Sequence, residues 1–198
     1  GTESKVRLEM PELPECEAAR VLVESHCRGL TIKKVISVET GGGPRDGVFD
    51  DLVFADKVDA DLVRSNLVGR TLQDVRRKGK HVWWELDGVG PSVLFFFGMT
   101  GAFIVKNVTA LDYQTFKMSD EWPPRFAKMR IIFENGCELA YCDPRRIGRI
   151  RFRDGEVSST CPFVAKLAPD PLINLPKPQD FLDRLWSFNK KIKALLLD

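Results

Sequence analysis

Between Cys16 and Cys27 apolar residues recur at spacings of three and four, through Ala19 and Val23. That period gives a helix one apolar face. Pro14 suits the first turn, Glu15 and Glu17 favour the positive N-terminal end, and Gly29 suits the stop, so a helix is predicted from about Pro14 to Arg28. Thr31 to Glu39 alternates imperfectly and reads as a strand. The glycine-rich run from Gly41 to Gly47 reads as a mobile surface loop. Asp59 to Asn66 reads as a short helix with Asp59 as its cap. The pattern then shortens. Thr71 to Arg77, Lys80 to Leu86, Ser92 to Phe97, Ala102 to Lys106, Lys128 to Glu134, Cys137 to Cys142 and Ile147 to Arg153 all read as strands. Gly79, the run Gly88 to Pro91 and the tight turn Gly98-Met99-Thr100-Gly101 separate them, and Asn135-Gly136 is a strong hairpin signal. Short strands so closely spaced by turns imply an antiparallel sandwich or barrel. The expected class is mainly β with flanking helices (α+β).

The pattern changes again from Ala168. Pro169, Pro171, Pro176 and Pro178 mark a linker, and Gln179 to Ser187 reads as a helix with Phe181, Leu182, Leu185 and Trp186 on one side. Ile192 to Leu197 opens another helix, which stops at Asp198 with its apolar residues unmatched. The expectation is a helical domain cut short. No internal repeat is visible.

Composition narrows the class. The 198 residues are 43% hydrophobic and 29% charged, enough for one domain and a fragment of a second. The longest apolar run, Val93 to Phe97, is five residues, where a membrane span needs roughly 20. Gly1 to Glu9 is polar and has no secretory core. Thirteen Phe and four Trp argue against disorder. Formal charge is only +2, but basic residues cluster at Arg76, Arg77, Lys78 and Lys80, at Arg145, Arg146, Arg149, Arg151 and Arg153, and at Lys190, Lys191 and Lys193. Such clusters beside strand-like sequence point to a phosphate-binding surface, although single clusters are usually solvated faces. Five cysteines without a Cys-x-x-Cys read as small buried hydrophobes in a reducing, intracellular compartment. His26 and His81 read as structural.

The most informative segment is Met10-Pro11-Glu12-Leu13-Pro14-Glu15. A proline-bracketed helix entry accounts for Pro14 and Glu15 but not for Met10 before Pro11. Removal of an initiator methionine there would leave Pro11 as a free amine. An α-amino group has a pKa of about 7.7–8.0 against about 10.4 for lysine, so far more of it is unprotonated at neutral pH. A secondary amine forms an iminium with a sugar aldehyde carbon, and the adjacent Glu12 is placed to move protons.

These residues resemble the N-terminus of the formamidopyrimidine-DNA glycosylase (Fpg/Nei) family. The resemblance continues through Arg77-Lys78-Gly79-Lys80-His81, Phe97-Gly98-Met99-Thr100-Gly101, Asp143-Pro144-Arg145-Arg146-Ile147-Gly148, Leu167-Ala168-Pro169-Asp170-Pro171-Leu172 and Lys191 to Asp198. It implies a β-sandwich catalytic domain over 10–167. It implies a linker and the first helices of a truncated helix–two-turns–helix domain over 168–198, with 1–9 an artificial remnant or an extension. It implies a glycosylase/AP lyase that removes oxidised purines, 8-oxoguanine and formamidopyrimidines, followed by β,δ-elimination. By the same resemblance Pro11 attacks C1′, Glu12 is the acid/base, Glu15 supports the pocket and Lys80 contacts phosphates beside the lesion. Met99, Arg145 and Ile147 fill the gap left by an everted nucleotide, while Arg146, Lys191 and Lys193 join the DNA-binding set. The implied partner is double-stranded DNA with oxidised bases or abasic sites, bound by a monomer with no membrane role. No cofactor is implied in this chain, and a zinc finger, if any, belongs to a missing C-terminal part.

The physics of those roles is independent of the resemblance. A base must leave the stack to be reached. Met99 is apolar and unbranched on a tight turn, which suits a wedge, and Arg145 can replace a lost pairing partner by hydrogen bonding. Two departures stand out. The family usually has Phe where Ile147 sits, and Cys16 replaces the usual Val. With residues still attached before it, the Pro11 nitrogen is an amide and the chain is expected to be silent or weak. Competing readings are a Nei-like oxidised-pyrimidine glycosylase, a non-catalytic lesion or abasic-site binder, and a β-sandwich interaction module unrelated to DNA.

Overall fold

The computed structural model describes residues 11–109 and 121–187. They divide into two units, with the boundary between Ala165 and Lys166.

The first unit opens with α1 (Leu13–Cys27), one residue ahead of the predicted bounds. Its buried residues are Cys16, Ala19, Leu22, Val23 and Cys27, the face that the spacing predicted. The strands are β1 (Ile32–Ile36), β2 (Leu72–Lys78), β3 (His81–Leu86), β4 (Ser92–Phe96), β5 (Ala102–Val105), β6 (Ala127–Phe133), β7 (Glu138–Cys142) and β8 (Arg149–Arg153). They form two four-stranded antiparallel sheets, ordered β1-β6-β7-β5 and β2-β3-β4-β8. The α+β sandwich is therefore the observed class. The core lies between the sheets. Trp84 and Phe95 from one meet Phe103 and Tyr141 from the other, with ring centroids 4.9 Å apart for Phe95–Phe103 and 5.5 Å for Trp84–Phe103. The period-two alternation points Val82, Trp84, Val93, Phe95 and Ile150 into this layer. Helix α1 and α2 (Ala60–Leu67) complete it, and Asp59 caps α2 by accepting from the Leu62 amide at 2.8 Å.

Two features add to the sequence reading. The glycine-rich loop carries anchoring hydrogen bonds that its composition does not announce. The Arg45 amide donates to the buried Glu39 carboxylate at 3.2 Å, and the Gly47 amide donates to the Glu39 carbonyl at 2.8 Å. Two short helices, α3 (Val157–Thr160) and α4 (Pro162–Ala165), follow β8. Val157, Cys161 and Val164 cover Trp83 and Leu94, which the alternation turns to the outer face of the sheet. In the second unit α5 (Pro178–Trp186) matches the predicted helix within a residue. The helix read from Ile192, with Lys191 and Lys193, lies outside the described residues, as does Met10.

Candidate nucleic-acid interface

The strand register gathers the separate motifs at one end of the sandwich. Lys78 pairs with His81, His81 with Phe96, and Phe96 with Arg149. This row is the last one in its sheet. Beyond it project the β2–β3 turn with Lys80, the β4–β5 turn with Met99 and the β7–β8 turn with Arg145, Arg146 and Ile147. Motifs far apart in the chain therefore share one edge.

The N-terminus of α1 joins them. Pro11 is buried just before the helix. Glu12 is the N-cap residue, and its amide donates to the Glu15 carboxylate at 2.8 Å. Glu15 thus fixes the backbone beside Pro11, which satisfies an otherwise orphaned helix N–H. The Glu12 carboxylate pairs with Lys80 Nζ at 2.8 Å, with the Lys80 side chain 35% exposed. Beneath them Arg77 is fully buried, and its Nε donates to Glu17 of α1 at 2.7 Å. Arg20 extends the tie by donating to Glu17 at 2.9 Å and to the Val75 carbonyl at 3.1 Å. The Lys80 turn and the helix start are therefore locked in register.

The other two turns are fastened to each other. Thr100 Oγ1 donates to the buried Asp143 carboxylate at 2.6 Å, and the Gly148 amide donates to its other oxygen at 2.7 Å. A side chain at Gly98 (φ +59°) would meet the Gly148 nitrogen at 2.8 Å, so only glycine lets the turns touch. Met99 and Ile147 are half-buried and Arg145 is exposed.

The basic clusters prove less available than their count implies. Arg77 serves Glu17. Arg146 is held by Asp50, through Nε at 2.8 Å and Nη2 at 3.0 Å. Arg149 turns back on its own loop, and Arg151 and Arg153 both face Asp56. Arg145 is exposed, and Lys80 faces Glu12. Asp50 itself is fully buried and also takes Lys128 Nζ at 3.0 Å. Burial alone would raise its pKa, but hydrogen bonds from Arg146 and Lys128 and their charges hold it lower, at about 2. Lys128 pairs with Glu39 as well. Sequence reasoning read Glu17 only as a charge at the helix N-terminus, not as the partner of Arg77 and Arg20, and it passed over Asp50, Thr100 and Asp143 as individual residues. Asp143 and Thr100 lie inside recognised turns, whereas Asp50 carries no local signal. His81 packs on Phe96, with centroids 5.2 Å apart, and burial together with the Arg151 charge pushes its pKa down. Among the described residues no group of three or more His, Cys, Asp or Glu is placed to hold a metal ion, and no helix is long and apolar enough to cross a membrane.

This geometry can be set beside known proteins. The sequence model of the formamidopyrimidine-DNA glycosylase N-terminal domain matches residues 10–150. The formamidopyrimidine-DNA glycosylase of Arabidopsis thaliana is 35% identical over 191 residues, covering 96% of this chain and 45% of that protein. The protein of the same name from a Nocardioides species is 30% identical over 192 residues, covering 96% of this chain and 57% of its own length. The chain therefore spans about half the length of the curated relatives it matches. Among solved structures, Lactococcus lactis Fpg bound non-covalently to DNA containing an AP site superposes with TM-score 0.64 at 23% identity, over 94% of this chain and 62% of that one. The Thermus thermophilus MutM (Fpg) protein superposes with TM-score 0.62 at 24% identity, over 94% and 57%.

Proposed function

Because the chain belongs to the formamidopyrimidine-DNA glycosylase family through its N-terminal domain, we propose that it is the catalytic part of a DNA glycosylase/AP lyase acting on oxidised purines in duplex DNA. The observation that carries this reading is the convergence of Pro11, Glu12 and Lys80 with the Met99 and Arg145–Ile147 turns on one edge.

Once its nitrogen is a free amine, Pro11 attacks C1′ of the damaged nucleoside. The glycosidic C–N bond breaks, and the base leaves with the bonding electrons and takes up a proton. The sugar ring then opens as its oxygen is protonated, giving the iminium at C1′. Loss of a C2′ proton expels the 3′-phosphate, and a second elimination expels the 5′-phosphate. Glu12 moves these protons at the attacked carbon. Lys80 holds the Glu12 carboxylate and exchanges that partner for a DNA phosphate. A partly exposed pair of this kind is worth no more than about 1 kcal/mol, so the exchange is easy. Met99 and Ile147 occupy the space of the everted nucleotide, and Arg145 pairs with the base left opposite. None of these steps uses a cofactor. The free cysteines fit a reducing, intracellular setting.

The test uses the full-length protein processed to Pro11, on duplexes carrying one 8-oxoguanine or one formamidopyrimidine. The expected result is base release followed by strand incision that leaves a 3′-phosphate. Salt-dependent binding without base release would overturn the enzymatic reading. Incision of oxidised pyrimidines alone would overturn the purine assignment.

A further inference from the structure

The turn from Asp143 to Gly148 makes its bend at Arg146, whose φ is +58°. That left-handed conformation carries a steric cost for a residue with a Cβ. Two guanidinium groups hold the turn from opposite ends. Arg146 is anchored on Asp50, as described. Arg149 lies at the other end, heading β8 opposite Phe96. Its Nη1 donates to three successive carbonyls of the same turn, Arg146 at 3.1 Å, Ile147 at 3.0 Å and Gly148 at 2.7 Å. One nitrogen with two hydrogens shared among three oxygens draws those peptide groups to a common focus. The backbone that carries Arg145 and Ile147 is thereby wrapped around the Arg149 side chain.

We propose that Arg149 is a positioning residue for duplex opening: it sets the shape of the 145–148 turn before DNA arrives, so that Arg145 and Ile147 enter the gap already ordered. This rests on the function proposed above and goes beyond it. The physical need is specific to this chain. Ile147 offers an aliphatic side chain with no ring to stack on a base. Little contact area is available to offset the entropy of ordering a loose turn on binding, and a turn ordered in advance avoids that cost. Arg149 would otherwise count as one more phosphate-binding charge in a basic run. Its focus on its own carbonyls assigns it a different task.

The two roles separate experimentally in the full-length protein. Arg149→Met keeps the apolar stem and removes the donors, and Arg149→Lys restores donors to the same place. The probes are a duplex with a tetrahydrofuran abasic analogue opposite 2-aminopurine, and an undamaged duplex of the same sequence. For Arg149→Met the expected outcome is about 10-fold weaker binding of the abasic duplex and a smaller 2-aminopurine fluorescence rise. Affinity for the undamaged duplex stays within about 2-fold with an unchanged salt slope. Arg149→Lys recovers part of the loss. In the DNA-free protein, hydrogen exchange at the Arg146 and Gly148 amides speeds up about 10-fold in Arg149→Met. Equal weakening on both duplexes, with a salt slope lower by about one, would make Arg149 a phosphate contact and overturn the proposal. Unchanged exchange would overturn it too. If the unmodified protein shows no preference for the abasic duplex, the proposed function fails, and the exchange result alone then decides the role of Arg149.

Discussion

Replacing Asp50 by Asn keeps the side-chain volume and an oxygen for the Leu52 amide at 3.3 Å, but removes the charge. The carboxylate is 0% exposed, and it is shared by Arg146 and by Lys128, itself 1% exposed. Breaking a buried ion pair costs about 3–5 kcal/mol. Lys128 retains Glu39, so the lower end, about 3 kcal/mol, is expected. The pKa gives a similar figure. Holding the carboxyl at about 2 against a usual 3.8 corresponds to about 2 kcal/mol of stability. A lowered carboxylate pKa contributes fully above the unfolded value and is lost as pH falls through the folded one. The contribution is therefore present at neutral pH and disappears as pH falls from about 4 to about 2. Urea unfolding followed by tryptophan fluorescence measures both effects. At neutral pH Asp50→Asn is expected to lower stability by about 3 kcal/mol and Tm by roughly 6–12 °C. The gap from the unmodified protein narrows as pH falls below about 4. A loss under about 1 kcal/mol at neutral pH, or a gap independent of pH, would refute the reasoning.

Other consequences are as direct. Thr100→Val removes the donor to buried Asp143 and is expected to cost about 2 kcal/mol, read as a lower urea midpoint with unchanged slope. The Cys16 thiol is pushed up to about 12, chiefly by burial. Iodoacetamide at about pH 8 should therefore leave Cys16 unmodified in the folded protein and alkylate it in urea, as peptide mass spectrometry will show. Lys80→Gln breaks the pair with Glu12 on a partly exposed surface. Stability should change by less than about 1 kcal/mol, while kcat/KM for abasic-site incision falls about 100-fold.

The strands were legible because local signals agreed with the final packing. Asn135-Gly136 joins β6 to β7 as a hairpin signal should, and the β-rich runs Lys80 to Leu86 and Ser92 to Phe97 became β3 and β4, whose Val82, Trp84, Val93 and Phe95 fill the sandwich core. Helices α3 and α4 were not legible. Each has four residues, too few for a 3.6-residue period. They exist because Trp83 and Leu94 face outward and need cover. The anchoring of the glycine-rich run was not legible for a related reason, since its composition says nothing of the buried Glu39 that holds it. At the site, Pro11, Glu12, Lys80, Met99 and Arg145 could be picked out from short motifs. Their convergence needed the register. Charge counting showed least at Arg77 and Arg146, whose partners within the chain lie 60 and 96 residues away.

The most direct test of the account is borohydride trapping on an 8-oxoguanine duplex. The full-length protein beginning at Pro11 is compared with the same protein carrying the preceding residues. Borohydride reduces an iminium to a stable amine, so an amine nucleophile leaves a covalent protein–DNA adduct. The account predicts an adduct that maps to the Pro11 nitrogen and is absent when that nitrogen is an amide. An adduct mapping to a lysine, or no adduct despite tight binding of the lesion duplex, would contradict it.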